Sequence, residues 1–477
     1  MELPLDIPSC HALILQQAEQ IRVLLVQVSE LNKRLELLEG RLEQNSRNSH
    51  RPPSSDGLTK QPALPRKPKG KKGGQQGHKG RTLKMVETPD VVINVYPSVC
   101  TCGADLSGTE NIVLEKRQVF DLPPKRLMVT EYRQYGGYCP CCEAYQSIPF
   151  PKGVSAPVQY GAQVKALCVL LATEYRTPFR KIEQWFKDVY GQAVNAGSIS
   201  SFLEDCHQRL APVETKIRAK LKEEVVAHFD ETGIRCSGKL YWLHTASSSM
   251  YTLLFVHAKR GLEALKSTSS VLEGFWGWAV HDCWGSYFNL GLKKQALCMA
   301  HIIRELVGLS ERGSRWAPHM RRLLLLLYKM TDNGHSCLDA KQLGKAQKVY
   351  ARMLEYADSQ EPLPVKNNKG RFKATKGRNL LRRLTELEPA VLAFAKYPEV
   401  PFTNNQAERD LRPAKVKLKV AGTFRDESGA NEYARIQSFI STTKKHQFDV
   451  FSQLTAVFQD QKILVVLLCY INQQVSV

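Results

Sequence analysis

Two apolar runs that each carry an aspartate constrain the fold of this chain more than any other feature. From position 224 the chain becomes β-branched and aromatic, in VVAHFDETGIRCSGK, LYWLHTASSSMYTLLFV and GWAVHDCWGSYF, which predicts β-strands. Asp230 and Asp282 lie inside or at the end of such runs, where a carboxylate is costly unless it is paired or binds a metal. Both are therefore candidate functional residues, with ordinary strand-end turn aspartates as the alternative. If the strands are regular, Glu231 and His281 point to the opposite face.

A third acidic candidate, Glu408, lies in PFTNNQAERDLRPAKVKLKVAGTF. One of the two asparagines before it can cap a helix, and Arg412 and Lys415 follow Glu408 at i+4 and i+7 on one helical face. This predicts a metal-binding carboxylate with phosphate-binding cations beside it. Pro413 predicts a kink or a helix end about one turn after Glu408. A solvated helix end with an ordinary Glu/Arg pair is the alternative.

Glu305 is the rival for the third carboxylate. It lies on a predicted helix, QALCMAHIIRELVG, where His301, Arg304 and Glu305 share one face. We favour Glu408 because an amide cap precedes it and cations follow it. His301 is interpreted as a packed or phosphate-facing residue rather than as a metal ligand.

The charge of the chain predicts a polyanionic partner. Its 477 residues carry a formal net charge of +21, which favours nucleic acid, although charge alone also allows an anionic membrane. The longest apolar run, from Ile463 to Ile471, is much shorter than the roughly 20 residues that span a bilayer. The N-terminus lacks a continuous apolar signal-peptide segment. We predict a cytoplasmic, nucleoid-associated protein of about three domains, without a membrane partner.

Apolar residues recur every seven positions near the N-terminus, and a second set follows three positions after the middle members. The two sets are Ile14, Ile21, Val28, Leu35 and Leu42, and Leu24, Leu31 and Leu38. These are the a and d positions of a heptad repeat, which predicts a dimerising coiled coil. A single amphipathic helix packed on the body is the alternative.

The next segment, residues 45–85, is rich in Ser, Pro and Gly and predicts a disordered linker. No acidic residue occurs between Gly57 and Val86, while Lys71, Lys72 and Lys79 are among its cations. Such an arm can follow a phosphate backbone through counterion release. A solubilising tail is the alternative.

Paired cysteines predict a zinc module after the linker. Thirteen cysteines are present, and five of them lie in VCTCGADL and YCPCCEAY. Cys100, Cys102, Cys139 and Cys142 can form a tetrahedral Cys₄ site for Zn²⁺, with Cys141 as a spare. Buried free thiols are the alternative.

Helical periodicity occupies two further stretches. Residues 155–212 read as three short helices, of which the third resembles a recognition helix, so a helix-turn-helix and a packed helical connector are both open. Residues 314–397 read as helices throughout and predict an insertion before the helix that carries Glu408.

Several motifs in order carry a family resemblance: NSRNSHRPPSSDG, GGQQGHKG, the cysteine pairs, HFDETG, CMAHIIREL and PFTNNQAERDLR with VAGTFR. Over roughly residues 20–445 the chain resembles the transposases of the insertion sequence 66 family. The resemblance implies a DDE transposase with a ribonuclease H-like core, in which Asp230, Asp282 and Glu408 are catalytic and hold Mg²⁺ or Mn²⁺. The predicted DNA-binding residues are Arg409, Arg412, Lys415, Lys71, Lys72 and Lys79.

The predicted fold is multidomain α+β. Its parts are a coiled coil (12–44), a disordered basic linker (45–85), a zinc-binding β module (86–152), a helix-turn-helix-like helical domain (153–215), a ribonuclease H-like α/β core in two parts (222–312 and 399–447) around an all-helical insertion (313–398), and a C-terminal tail (448–477).

The predicted function is to bind the ends of an insertion sequence and to catalyse metal-dependent strand cleavage and strand transfer into target DNA. The predicted partners are element-end and target DNA, further copies of the chain, and companion proteins from the same element. A catalytically inert architectural or regulatory DNA-binding protein and a structure-specific nuclease with the same core are the alternatives. Inverted repeats flanking the gene would favour transposition over both.

Overall fold

A computed structural model describes residues 7–42, 84–107, 113–122, 126–366 and 372–459. The fold is mixed α+β and begins with a long helix, as the sequence predicts. Most of the linker falls outside the described residues, and with it Lys71, Lys72 and Lys79.

The N-terminal helix α1 spans Ile7–Leu42, a few residues longer at its start than the predicted segment. The heptad residues up to Leu35 lie at the surface: Ile14 is 62 % exposed, Val28 51 % and Leu35 57 %. In the part of the chain that the structure describes, this apolar stripe is therefore not buried against the body.

The cysteine-rich segment contains a small antiparallel hairpin, β1 (Gly136–Tyr138) and β2 (Tyr145–Ser147). Tyr138 pairs with Tyr145 across the hairpin, and their rings meet edge to face with centroids 5.3 Å apart. Apolar side chains of this segment are largely exposed, for example Val95 and Met128. It contributes no residue to the cores of the described chain.

Four helices precede the main sheet: α2 (Ala162–Thr173), α3 (Phe179–Tyr190), α4 (Ala196–Arg209) and α5 (Ala211–Glu223). The first three are the predicted ones, and Asn195 caps α4 by accepting a hydrogen bond from the Ser198 amide. Their apolar faces, including Val169 and Ile199, share one core with strands of the sheet and with the last helix. The helices thus pack on the sheet as the connector alternative requires.

A five-stranded sheet forms the centre of the chain. It contains β3 (Val226–Cys236), β4 (Lys239–Ser247), β5 (Thr252–His257), β6 (Trp278–His281) and β7 (Gln295–Leu297) in the order β5-β4-β3-β6-β7. The first three strands are antiparallel, because tight turns join them, whereas β6 and β7 run parallel to β3. Short helices α6 (Leu262–Leu265) and α7 (Gly285–Phe288) lie in the connections.

Helices cover both faces of this sheet. Phe229 and Leu253 contribute to the core shared with the preceding helices, while Ile234 and Leu254 pack against the following ones. The helices that follow in sequence around the insertion are α8 (Met299–Glu311), α14 (Asn405–Ala421), α15 (Glu427–Lys445) and α16 (Val450–Phe458). Burial on both faces accounts for the nearly continuous apolar character of the strand sequences.

The insertion between α8 and α14 contributes Trp316, Leu324 and Tyr350 to an apolar core that it shares with β6, β7 and α8. Its helices are α9 (Ala317–Met330), α10 (Ala340–Gln360), α11 (Lys376–Glu386), α12 (Glu388–Val391) and α13 (Ala393–Lys396). The prediction that it is all helical is wrong in one detail. Val365–Lys366 and Phe372–Lys373 pair as the short strands β8 and β9, where the helical period breaks after Pro364.

The predicted C-terminal tail begins as part of the core. Helix α16 buries Leu454 and Val457 in the same apolar cluster as α2, because its apolar residues recur at helical spacing. The rest of the predicted tail, from residue 460, lies outside the described residues. Among the described helices, none combines the length and the apolar character needed to cross a bilayer.

Candidate active site

Asp230 lies on β3, and Asp282 directly follows β6, the parallel strand beside β3. The register of β3 and β6 pairs Val226 with Trp278, Ala227 with Ala279 and His228 with Val280. The negative charge of Asp282 helps to raise the pKa of Asp230, so the two carboxylates lie within electrostatic range of each other. Asp282 directly follows β6 and accepts a hydrogen bond from the Trp284 amide over 2.9 Å, which fixes the turn. The sheet therefore brings together the two aspartates that the sequence singles out.

The environment of Asp230 opposes its ionisation. Its pKa is raised to about 8, chiefly by burial and also by the negative charges of Glu231 and Asp282, while the Lys415 ammonium and a hydrogen bond from the Glu231 amide oppose the rise. These interactions also show that Lys415, from helix α14, lies within electrostatic range of Asp230. A cation bound between the aspartates would relieve the repulsion.

The residues next to the aspartates point to the opposite face, as regular strands require. Glu231 is almost fully buried there and accepts hydrogen bonds from Arg260 at 2.8 Å and from the Tyr287 hydroxyl at 2.6 Å. His281 stacks on Tyr287, with ring centroids 4.4 Å apart. Arg260 is in turn held between the rings of Trp242 and Trp284. These side chains contact one another on this face, and their contacts support the strand positions of both aspartates.

Glu408 lies in the first turn of α14, which packs against β3 and β4 through Leu411 and Ala414. The predicted helix end at Pro413 is wrong, since α14 continues to Ala421. Proline removes only one backbone donor, and the buried residues on either side of it keep the helix on the sheet. Lys415 consequently stays near the aspartates.

Asn404 precedes α14 but does not cap it with its side chain, contrary to the sequence-based expectation. It is 1 % exposed, and its amide nitrogen donates to the Phe229 carbonyl over 2.7 Å. Its amide oxygen accepts from Nδ1 of His228 over 2.9 Å. Its backbone N–H donates to Sγ of Cys298 over 3.1 Å. Asn404 thus connects α14 to β3 and to the start of α8, a role that the local sequence does not reveal.

Glu408 also lies beside two residues of α8. Its carboxylate, Sγ of Cys298 and a ring nitrogen of His301 all fall within 4.8 Å of one another. Among the described residues, this is the one group of three or more acidic, His or Cys side chains whose ligand atoms are close enough to hold a metal ion, and neither Asp230 nor Asp282 belongs to it. The sequence analysis interprets His301 as a packed or phosphate-facing residue and therefore does not predict this group. The spacing Cys-x-x-His was a signal that could have indicated metal ligands here.

Glu305, the rival carboxylate, is engaged elsewhere. Both of its oxygens accept hydrogen bonds from the guanidinium of Arg383 on α11, and both side chains are largely buried. This ion pair connects α8 to the insertion. Its geometry explains Glu305 as a structural residue.

Comparison with known families shows the family of the chain. The sequence profile of the transposase IS66 family matches residues 157–432, more than half of the chain. The chain belongs to the IS66 transposase family. A family of unknown function (DUF6444) matches residues 8–84, and the search of curated proteins found no match.

A buried ion pair fixes the helix that carries Glu408 in this IS66-family chain. Asp410 accepts hydrogen bonds from Lys445 over 2.7 Å, from Thr252 over 2.8 Å and from Ser247. Burial lowers the pKa of Lys445, and the Asp410 carboxylate opposes that change. Because every partner of the pair is satisfied, α14 is held at once to the β4–β5 turn and to α15.

The predicted DNA-binding cations of α14 differ in exposure. Arg409 and Arg412 are exposed, and Arg409 donates to the side chain of Gln406 over 2.6 Å. Lys415 is half-buried and interacts with Asp230. The two exposed arginines and the half-buried lysine thus lie on the same helix as Glu408.

The four predicted zinc ligands occupy two separate tight turns. The Cys100 amide donates to the Ala104 carbonyl, and the Cys139 amide donates to the Ala144 carbonyl, each over 2.9 Å. Hydrogen bonds from Cys102 lower the pKa of Cys100, and those from Cys142 and Cys141 lower the pKa of Cys139. Within the described residues, the two turns are not brought into one group of metal-ligand atoms.

Proposed function

We propose that this chain is a DDE transposase that binds the ends of its insertion sequence and catalyses metal-dependent strand cleavage and strand transfer. The observation that supports the proposal is that Asp230, on the central strand β3, is within electrostatic range both of Asp282, which follows β6, and of Lys415, which lies on the helix of Glu408. Membership of the IS66 transposase family supports the same conclusion.

We propose that the sheet is a ribonuclease H-like core. Three antiparallel strands followed by two parallel ones, with helices on both faces, support this assignment. The acids lie on the first strand and directly after the fourth, which are neighbours in the sheet. The third acid comes from a helix that follows the insertion.

The donor set suits Mg²⁺ or Mn²⁺. Asp230, Asp282 and Glu408 offer only carboxylate oxygens, the ligands that hard cations prefer, and the raised pKa of Asp230 reflects burial first and the nearby negative charges of Glu231 and Asp282 second. Bound divalent ions would neutralise this charge, activate the attacking oxygen and stabilise the leaving oxygen of a phosphodiester.

The protein's own residues would position the DNA around this centre. Lys415, which lies within electrostatic range of Asp230, would contact a phosphate held by the carboxylates, and the exposed Arg409 and Arg412 would extend the positive surface outward. Asn404 keeps α14 in register with β3. The basic linker would add affinity that is independent of sequence.

Zn²⁺ at Cys100, Cys102, Cys139 and Cys142 remains part of the proposal. The two tight turns present paired thiols whose pKa values are lowered at Cys100 and Cys139, which favours metal binding. Acidic side chains that repel one another within the sheet are not needed for a purely architectural function. A nuclease without strand transfer would use the same centre. The reaction products distinguish a nuclease from a transposase.

The central experiment replaces each carboxylate by its amide: Asp230→Asn, Asp282→Asn and Glu408→Gln. Each variant should lose Mg²⁺-dependent cleavage of a labelled duplex that carries the element's end, and each should lose strand transfer. Binding of the same duplex without metal should be unchanged or slightly tighter, because a negative charge is removed from a DNA-facing surface. A nuclease would show cleavage in the parent chain but no joined product.

Glu305→Gln is the matched control, because Glu305 is a helical glutamate with a structural partner. It should retain cleavage at temperatures where it stays folded. Full activity in Glu408→Gln together with none in Glu305→Gln would overturn the assignment of the third carboxylate.

A further inference from the structure

We propose that Cys298, His301 and Glu408 form a second metal site, selective for a thiophilic divalent cation such as Zn²⁺, and that its occupation inhibits the transposase by engaging Glu408. The inhibitory half of this inference rests on the proposed function. The binding half does not.

The first support is the placement of Cys298 and His301. Cys298 immediately precedes α8, and His301 follows it by three residues in the first turn. This spacing puts both side chains on one side of the helix start. Sγ of Cys298 is fully buried and faces backbone donors, since the N–H of Asn404 lies 3.1 Å away. Burial raises the pKa of Cys298 to about 11, and the hydrogen bond from the Asn404 N–H opposes this rise.

The second support is the distance between donor atoms. Ligands around a tetrahedral zinc, with bonds of about 2.0–2.3 Å, are separated by roughly 3.5 Å. The sulfur, nitrogen and oxygen atoms here already lie within 4.8 Å of one another. Small side-chain rotations at the half-buried His301 and Glu408 would close the difference. Three protein ligands would leave one coordination position for water.

The third support is the chemistry of the donors. Sulfur and imidazole nitrogen select Zn²⁺ over Mg²⁺, which prefers oxygen ligands. A thiolate and a carboxylate also neutralise the charge of the ion. When the ion binds, the thiol proton passes to solvent. Asp230 and Asp282 offer oxygen alone, so the two sites differ in metal preference while Glu408 is common to both.

Because both metal sites would use Glu408, occupation of the zinc site would inhibit cleavage. A carboxylate coordinated to Zn²⁺ beside α8 donates less electron density to ions held at the aspartates. The Zn²⁺ charge also repels a cation there. Micromolar Zn²⁺ should therefore inhibit Mg²⁺-dependent cleavage, and a large excess of Mg²⁺ should restore part of the activity.

The binding experiment titrates Co²⁺, a spectroscopic substitute for Zn²⁺, into the full chain carrying Cys139→Ser and Cys142→Ser, which removes the proposed cysteine-turn site. We expect one thiolate-ligated Co²⁺ per chain, detected by sulfur-to-cobalt charge-transfer absorption. Cys298→Ser should abolish this absorption, and His301→Gln and Glu408→Gln should each weaken binding at least about tenfold. Cys168→Ser is the matched control, since Cys168 is equally buried, and it should leave the absorption unchanged. Absorption that is absent from the background chain, or that persists in Cys298→Ser, would overturn the site.

The inhibition experiment compares zinc titrations of Mg²⁺-dependent cleavage. Cys298→Ser should shift the inhibitory zinc concentration upward by at least about tenfold relative to its own zinc-free rate, whereas Cys168→Ser should not. Binding of Co²⁺ without any inhibition by Zn²⁺ would refute the competition. If the chain shows no Mg²⁺-dependent cleavage at all, the proposed function fails, and the cobalt titration still decides whether the site exists.

Discussion

The side-chain amide of Asn404 donates a 2.7 Å hydrogen bond to the backbone carbonyl of Phe229, one residue before Asp230. Asn404 also accepts a hydrogen bond from His228, and it leads directly into the helix of Glu408. One buried side chain therefore sets the position of the third carboxylate relative to the first. This makes Asn404 a positioning residue.

Asn404→Ala should lower the free energy of unfolding by about 2–4 kcal/mol, because the Phe229 carbonyl and the His228 ring lose buried partners. It should also raise the Mg²⁺ concentration needed for half-maximal cleavage, which a loss of stability alone would not do. Thermal unfolding and a magnesium titration of cleavage measure the two effects. The exposed neighbour provides the control: Asn405→Ala should change neither quantity. An unchanged magnesium dependence in folded Asn404→Ala would remove the positioning role.

The raised pKa of Asp230 predicts a pH-dependent stability in the absence of divalent metal. Between pH 4 and about pH 8 the unfolded chain ionises this carboxyl, whereas the folded chain retains the proton. Stability is therefore lost across this window as the pH rises. Asp230→Asn, which cannot ionise, should be more stable than the parent chain at pH 9, on the order of 1–3 kcal/mol. The advantage should disappear near pH 4.

Denaturant unfolding in the presence of a chelator measures this difference at both pH values. Glu355→Gln, at an exposed carboxylate on α10, should stay within about 0.5 kcal/mol of the parent at either pH. A gain for Asp230→Asn that is the same at pH 4 and pH 9 would contradict the electrostatic origin.

Lys415 should contribute to DNA affinity through charge. Lys415→Ala should weaken binding of end DNA and reduce the slope of log affinity against log salt by about one unit. Lys348→Ala, which removes an exposed lysine from α10, should leave the slope unchanged. Filter binding or fluorescence anisotropy at several salt concentrations gives both slopes. Equal slopes for the parent chain and Lys415→Ala would place this lysine away from the DNA.

The exposed apolar stripe of α1 should hold copies of the chain together. Leu24→Glu combined with Leu31→Glu places charges on the stripe and should lower the molecular mass measured by light scattering. The far-UV circular dichroism spectrum of the double variant should differ little from that of the parent chain. Gln27→Glu, at an exposed position of the same helix, is the control. A mass that does not change in the double variant would rule out the coiled coil.

The sequence predicted the strands more completely than it predicted the interactions around the candidate site. Apolar, β-branched runs predicted the strands, and the cost of a charge inside such a run identified Asp230 and Asp282. The same local reasoning misread Asn404 as a cap and Pro413 as a helix end. Both errors concern interactions with residues far away in the sequence, which local preferences do not contain.

By itself, the sequence determined the helical N-terminus, the strand segments and the two aspartates, because period and residue type act within a few positions. Only the tertiary structure decided which strands are neighbours, and hence that Asp230 lies within electrostatic range of Asp282. It also decided that Glu305 pairs with Arg383, while Glu408 meets Cys298 and His301. These pairings depend on long-range packing of the insertion and of α14 on the sheet, and packing brings together residues that have no relation in the sequence.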